Sequence, residues 1–363
     1  MAGLSSLLYI LAIVALTPVV VLVAFVIYCI PVYAPVIRRI FEEQPLFSPL
    51  RIVPDDLGET VEFPTSRGLT LRGSYFKART DARVGVLVFC HEFLGDRWSH
   101  APYVDHLRDR GFDLFGFDFR NHGDSDVDPD YVPFQYVSDR EVDDVKGALA
   151  YLRTRPDRDL AGYGLVGVSR GGGAAILAAA DEADVWGVVT DGAFPTRGTM
   201  TAYIVRWATI FVRAKWFLRC VPRFVFSFLG DVARAGTERK RNCSYPSVER
   251  AVARLAPRPW LQIHGERDVY IGTDIADDLF SWARQPKEQW IVGDAKHNRC
   301  RELEPEAYAR RLAAFLDRNA PRRPLAEIEA EAATDAAAFA RVENPARAAK
   351  PSLAAKVAAP AVG

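Results

Sequence analysis

Charge is missing where the chain begins. No Asp, Glu, Lys or Arg precedes Arg38 in the 363-residue sequence. Net charge is also missing overall, with 46 Lys plus Arg against 46 Asp plus Glu, so there is no general electrostatic reason to expect a nucleic-acid partner. Cysteine is scarce. Five in 363 residues exclude a disulfide-built scaffold. Cys29 lies in an apolar run, and Cys90, Cys220, Cys243 and Cys300 show no CxxC or Cys/His ligand spacing, so no metal and no structural zinc is expected. What the chain does have is 49% hydrophobic and 25% charged residues, which excludes wholesale disorder. The length fits two domains, or one large α/β domain with appended segments.

Both ends read as appendages. Leu4–Ile30 exceeds the roughly 20 apolar residues that cross a bilayer as a helix, and Pro18 inside it is better tolerated in lipid than in water. The segment 1–37 is therefore expected to be a transmembrane anchor. A cleaved signal peptide is the rival reading, with Val32-Tyr33-Ala34 as its small-residue site. Against it, the stretch lacks a basic n-region and is about twice the usual 7–15 residue apolar core. Arg38 and Arg39 directly follow the span, which by the positive-inside rule places the body on the cytoplasmic face of a single-pass membrane protein. At the other end, residues 325–363 are Ala-rich and poor in aromatics, and are expected to form a flexible tail.

Between them, over about 51–318, strand and helix patterns alternate. Thr60–Pro64 and Leu69–Phe76 predict a hairpin, followed by a buried strand at Val84–Cys90. Tyr103–Arg110 predicts a helix stopped by Gly111, and Phe112–Phe119 the next strand. Ser138 with Glu141 forms a capping-box pattern opening a helix to Arg153. Strands at 163–168, 185–190, 260–264 and 289–292 then alternate with helices at 171–183, 274–284 and 305–318. This order predicts an α/β fold with a mostly parallel sheet covered by helices on both faces.

The chemistry concentrates at Gly167-Val168-Ser169-Arg170-Gly171. A strand (YGLVGV) runs into the serine and a small-residue helix (GGGAAILAAA) leaves it. A sharp strand-to-helix turn would lift the Ser169 hydroxyl above the sheet, with glycine two residues before and after relieving the crowding. Here the sequence resembles the α/β-hydrolase superfamily over about 51–318. The resemblance implies that fold, a helical lid insertion, and an acid and then a histidine after the serine. Only His264 and His297 follow Ser169. His264 sits inside a strand, whereas His297 lies just past the last strand, where the family places its base. The matching acid is Asp268, on the loop after strand WLQIH; Asp191, at the end of an earlier strand, is the alternative. The resemblance thus implies Ser169 as nucleophile, His297 as base and Asp268 as the residue that fixes the imidazole.

The same resemblance places the oxyanion hole on the backbone N–H groups of Arg170 and Phe93. Glu92 stands where many relatives have glycine. His91 is expected to brace that loop, and a zinc-protease reading of His91-Glu92 fails because Gly95 occupies the second histidine position of HExxH. Arg120, His122 and Ser125, in DFRNHGDS, are expected to be scaffold.

An insertion at about 194–255 takes the lid position. Its core mixes Trp207, Phe211, Trp216, Phe217, Phe224 and Phe228 with Arg206, Arg213, Lys215, Arg219 and Arg223, and has no acid. That mixture suits either an interfacial element on anionic lipid or, slightly preferred, a lid with its apolar side over the site and its cations in water. The expected function is a membrane-anchored serine hydrolase, without cofactor, acting on ester or thioester bonds of small-molecule substrates with apolar acyl groups. A serine peptidase of the same fold, or a catalytically silent binding or scaffold module, are the alternatives.

Overall fold

Runs of β-branched and aromatic residues with both faces apolar make the central strands. In the computed structural model, which describes residues 2–42, 52, 56–213 and 215–321, they form one eight-stranded sheet. The chain begins with α1 (Ala2–Phe41), continues through β1 (Glu59–Pro64), β2 (Thr70–Phe76) and β3 (Gly85–Cys90), and reaches the short α2 (Ala101–Val104) before β4 (Phe112–Phe117). Next come α3 (Asp139–Thr154), β5 (Tyr163–Val168), α4 (Arg170–Ala179) and β6 (Val185–Asp191). The insertion supplies α5 (Thr196–Phe211), α6 (Lys215–Cys220), α7 (Arg223–Arg241) and α8 (Val248–Val252). The chain then forms β7 (Trp260–Gly265), α9 (Thr273–Trp282), β8 (Lys287–Val292), α10 (Cys300–Leu303) and α11 (Pro305–Asn319).

The strand order is β1-β2-β4-β3-β5-β6-β7-β8. β1 and β2 pair antiparallel as the predicted hairpin, β2 is antiparallel to β4, and the remaining pairings are parallel. Strands β3, β4, β5 and β7 are buried along their whole length, which is why their sequences read as apolar runs rather than alternations. Two apolar layers cover the sheet. One packs α3, α4 and α8 residues such as Leu149, Ile176 and Val252 against one face. The other packs Leu107, Leu312 and Phe315 against the opposite face. Because the central strands are parallel, the loops after β5, β7 and β8 open at the same edge.

One predicted helix is not regular. Residues 97–110 form a 3₁₀ turn at Arg97–His100, the single α turn of α2 and a second 3₁₀ turn at Asp105–Arg110. The predicted stop does hold: Gly111 has φ +90, and a Cβ there would lie 2.8 Å from the Val84 side chain. Capping explains the early start of the segment, because Asp96 caps Trp98 and shares a capping box with Ser99. The Ser138–Glu141 box opens α3 as expected.

The loop after β4 is tied to α3 by a buried guanidinium. Arg120 Nη2 donates to Asp144 Oδ1 at 2.6 Å and to Asp143 Oδ2 at 2.8 Å, and Nε donates to Asp144 Oδ1 at 2.9 Å. Both Arg120 and Asp144 are fully buried. Ser125 Oγ donates to Asp118 O at 2.6 Å and accepts from Arg72 N at 2.8 Å. These are structural contacts, as the motif suggested. Removing the guanidinium would strand a buried carboxylate, so Arg120→Ala is expected to cost about 3–5 kcal/mol, measurable as an earlier urea midpoint in detergent solution.

Helix α1 continues through Pro18, Pro31 and Pro35 to Phe41, four residues past the expected anchor boundary. Leu8–Phe41 is long and apolar enough to cross a membrane. Its last third packs against the insertion. Cys29, Ile37 and Phe41 are buried in a cluster with Ile204, Val225, Phe226 and Leu229 of the insertion. Phe41 stacks on Tyr136 with ring centroids 4.5 Å apart, and Glu42 accepts from Lys240 at 2.8 Å and Arg241 at 2.9 Å. The expected tail, 325–363, lies outside the described residues.

Candidate active site

The strand-to-helix turn after β5 is as sharp as the motif requires. Ser169 has φ +51 and ψ −117, a region rarely occupied by side-chain-bearing residues. The two motif glycines are sterically obligatory. A Cβ on Gly167 would come within 2.5 Å of Gly171 O, and one on Gly171 within 2.1 Å of Cys90 O. The turn is held by Ser169 N, which donates to Asp191 O at 2.7 Å.

Ser169 Oγ lies 2.9 Å from His297 Nε2, and His297 Nδ1 lies 2.5 Å from Asp268 Oδ2. Three side chains from the loops after β5, β7 and β8 thus form one hydrogen-bonded line. Asp268 is oriented by its own loop, since its Oδ1 accepts from Tyr270 N and Ile271 N, both at 2.9 Å. Asp191, the alternative acid, is buried at the end of β6, where burial pushes its carboxyl up to about 6. The Nδ1 of His297 turns to Asp268 instead.

His264 is a sheet residue as expected, but its placement has a role the sequence did not reveal. It is fully buried and donates from Nε2 to Ile271 O at 2.8 Å, with Asp268 Oδ2 at 3.6 Å. Burial pushes its pKa down, so it stays neutral and braces the acid loop from below.

Arg170 begins α4, so its backbone N–H belongs to the free donors of a helix start. Its side chain points into the protein, where it pairs with Glu141 and donates from Nη2 to Tyr131 OH at 3.3 Å. Phe93 borders the same cavity as Ser169, Arg170 and His297. The loop carrying it is braced as expected: His91 Nδ1 lies 2.7 Å from Glu92 O, and its Nε2 accepts from Phe119 N at 3.2 Å.

Glu92 is buried, and loss of solvent pushes its carboxyl up to about 7 from the ordinary 4.5. The folded state therefore holds this proton more tightly than the unfolded state. That contribution to stability is complete below about pH 4.5 and is lost as pH rises towards 7. Glu92→Gln cannot ionise. It is expected to match the wild type near pH 4.5 and to exceed it by up to about 3 kcal/mol at pH 8, read from thermal unfolding at the two pH values.

The cavity at Ser169 holds about 50 Å³. Beyond the expected residues, Phe194, Thr199, Tyr203, Tyr270 and Asn298 line it. Asn298 was findable as the neighbour of His297. Tyr203 and Thr199 were not, because only tertiary packing lays α5 over the serine.

A family model described as alpha/beta hydrolase fold matches residues 85–219. An esterase from Pyrococcus furiosus, Pf2001, superposes with TM-score 0.55 at 20% identity, over 77% of this chain and 99% of that one. GrgF, an alpha/beta hydrolase from a Penicillium species, gives TM-score 0.54 at 19% identity, over 72% and 98%. In sequence, the chain is 25% identical over 244 residues to the uncharacterized protein YfhR of Escherichia coli K12, spanning 66% of this chain and 73% of that protein. A stretch of 121 residues is 34% identical to thiohydrolase aneE of Aspergillus aculeatus, 33% of this chain and 36% of that one. The strand order, the turn at Ser169 and the family match agree: this chain has the α/β-hydrolase fold.

Proposed function

We propose that this protein is a membrane-anchored serine hydrolase that cleaves carboxylic esters or thioesters carrying apolar acyl groups. The observation that carries the reading is the unbroken line Ser169 Oγ–His297 Nε2 and His297 Nδ1–Asp268 Oδ2, at 2.9 and 2.5 Å. His297 takes the Ser169 proton as Oγ attacks the acyl carbonyl, and Asp268 stabilises the resulting imidazolium. The oxyanion of the tetrahedral intermediate accepts from the N–H groups of Arg170 and Phe93. As the carbon–oxygen or carbon–sulfur bond breaks, His297 returns the proton to the leaving alcohol or thiol. Water, deprotonated by the same imidazole, then releases the acid and restores Ser169. No cofactor enters.

The substrate class rests on the aromatic and aliphatic walls of the site, Phe93, Phe194, Tyr203, Tyr270 and Ile271. The likeness to a thiohydrolase keeps thioesters beside oxygen esters. The apolar helix Leu8–Phe41 serves as the anchor, and Arg38 and Arg39 after it favour a cytoplasmic catalytic body.

The test is labelling of membranes by a fluorophosphonate probe, with the wild type beside Ser169→Ala. A hydrolysis panel of short- and long-chain p-nitrophenyl esters, acyl thioesters and aminoacyl amides runs in parallel. The expected result is a labelled wild type, an unlabelled variant, and turnover of esters and thioesters above amides. An unlabelled but folded wild type overturns the reading.

A further inference from the structure

The lid packs against α1 along its long apolar stretch. Tyr9 and Tyr28, both exposed on α1, stand nineteen residues apart. At 1.5 Å per residue that is about 28 Å, close to the roughly 30 Å hydrocarbon thickness of a bilayer, with tyrosine at each boundary as interfacial belts require. The lid touches α1 below the second boundary. Phe25 and Phe217 pack edge to face at 5.5 Å, and Phe224 and Phe228 border a wholly apolar groove with Val19, Leu22 and Val26. Ile210, Phe211, Trp216 and Phe224 are more than half exposed. Such an exposed apolar patch marks a surface for association or for lipid. Arg213, Lys215, Arg219 and Arg223, exposed around it, are long enough to reach headgroup phosphates.

Between α1 and the lid lies a second apolar cleft of about 480 Å³, walled by Cys29, Val36, Ile204, Trp207, Ala208 and Phe211 among others. The cavity at Ser169, at about 50 Å³, is about a tenth of that volume, too small by itself for a long acyl chain. One helix joins the two spaces. Thr199 and Tyr203 of α5 line the serine cavity, and Trp207 and Phe211 line the cleft. These four residues are spaced by four and so form one continuous ridge about 18 Å long.

We infer that the cleft between α1 and the lid binds an acyl chain of a lipid in the adjoining leaflet and presents its carbonyl end to Ser169 along the α5 ridge. This names the substrate source for the hydrolase reading and rests on it for the catalytic step, though not for lipid binding. The anchor is then a wall of the substrate site as well as a tether.

The experiment uses the full-length protein in phosphatidylcholine–phosphatidylglycerol vesicles containing a phosphatidylcholine with a diazirine in one acyl chain. Photolysis is expected to cross-link peptides from 204–221 and 29–40. Ala208→Trp, which fills the cleft, is expected to reduce that cross-linking severalfold and to lower the ratio of long-chain to short-chain ester turnover about tenfold. Val36→Trp narrows the same cleft from an exposed position on α1 and should act in the same direction if Ala208→Trp does not fold. Cross-links confined to other peptides, or unchanged in a folded cleft variant, overturn the proposal. A cross-linked cleft in a wild type that takes neither fluorophosphonate nor ester would instead overturn the hydrolase reading and leave the lipid site standing.

Discussion

Ser169→Ala and His297→Ala are each expected to lower ester hydrolysis on the order of 10⁶-fold, and the double variant is expected to lose no more than either one. The non-additivity follows from the geometry. At 2.9 Å the imidazole Nε2 is placed to receive the proton of Ser169 Oγ, and the hydroxyl without that acceptor is a poor nucleophile at neutral pH. Removing either partner leaves the same residue of catalysis, namely the oxyanion donors and substrate binding. Steady-state rates of the three variants on one long-chain ester decide this. A double variant another thousandfold slower than the singles would mean that the two residues act separately.

The second large effect is expected at Asp268. Asp268→Asn should lower turnover on the order of 10⁴-fold while leaving the fold intact. The two carboxylate oxygens have different partners: Oδ1 accepts from Tyr270 N and Ile271 N, and Oδ2 accepts from His297 Nδ1. An asparagine satisfies the two backbone donors only by keeping its carbonyl oxygen there, which points its NH₂ at Nδ1. The imidazole must then carry its proton on Nε2, facing Ser169 Oγ as a donor, and can no longer accept the serine proton. Fluorophosphonate labelling should slow in parallel with turnover. Unchanged turnover in Asp268→Asn would move the acid role to buried Asp191.

Helix-start and turn signals were legible because they depend on neighbours in the chain. The Ser138–Glu141 box and the Gly111 stop appear where local hydrogen bonding and backbone freedom place them. The helix expected at 103–110 is instead the end of the single α turn of α2 followed by a 3₁₀ segment at Asp105–Arg110. Its capping begins upstream at Asp96, and its residues are fixed by tertiary bonds such as Arg97 N to Asp118 Oδ1 at 2.6 Å and Arg108 Nε to Lys77 O at 2.9 Å. Propensity does not carry partners twenty or thirty residues away.

By itself the sequence determined the order serine, aspartate, histidine, the strand-to-helix turn that demands glycine at 167 and 171, the parallel α/β layering and an apolar helix at the start. Each is a property of local spacing, side-chain volume or hydrophobic period. Only the tertiary structure set which carboxylate meets His297 Nδ1, Asp268 rather than Asp191, because both follow parallel strands. It alone set neutral His264 beneath the acid loop, turned the Arg170 side chain away from the site, and laid α5 across both the serine cavity and the α1 cleft. Those outcomes depend on segments far apart in the chain burying their apolar faces against one another, and no periodicity within a single segment records which partner it will meet.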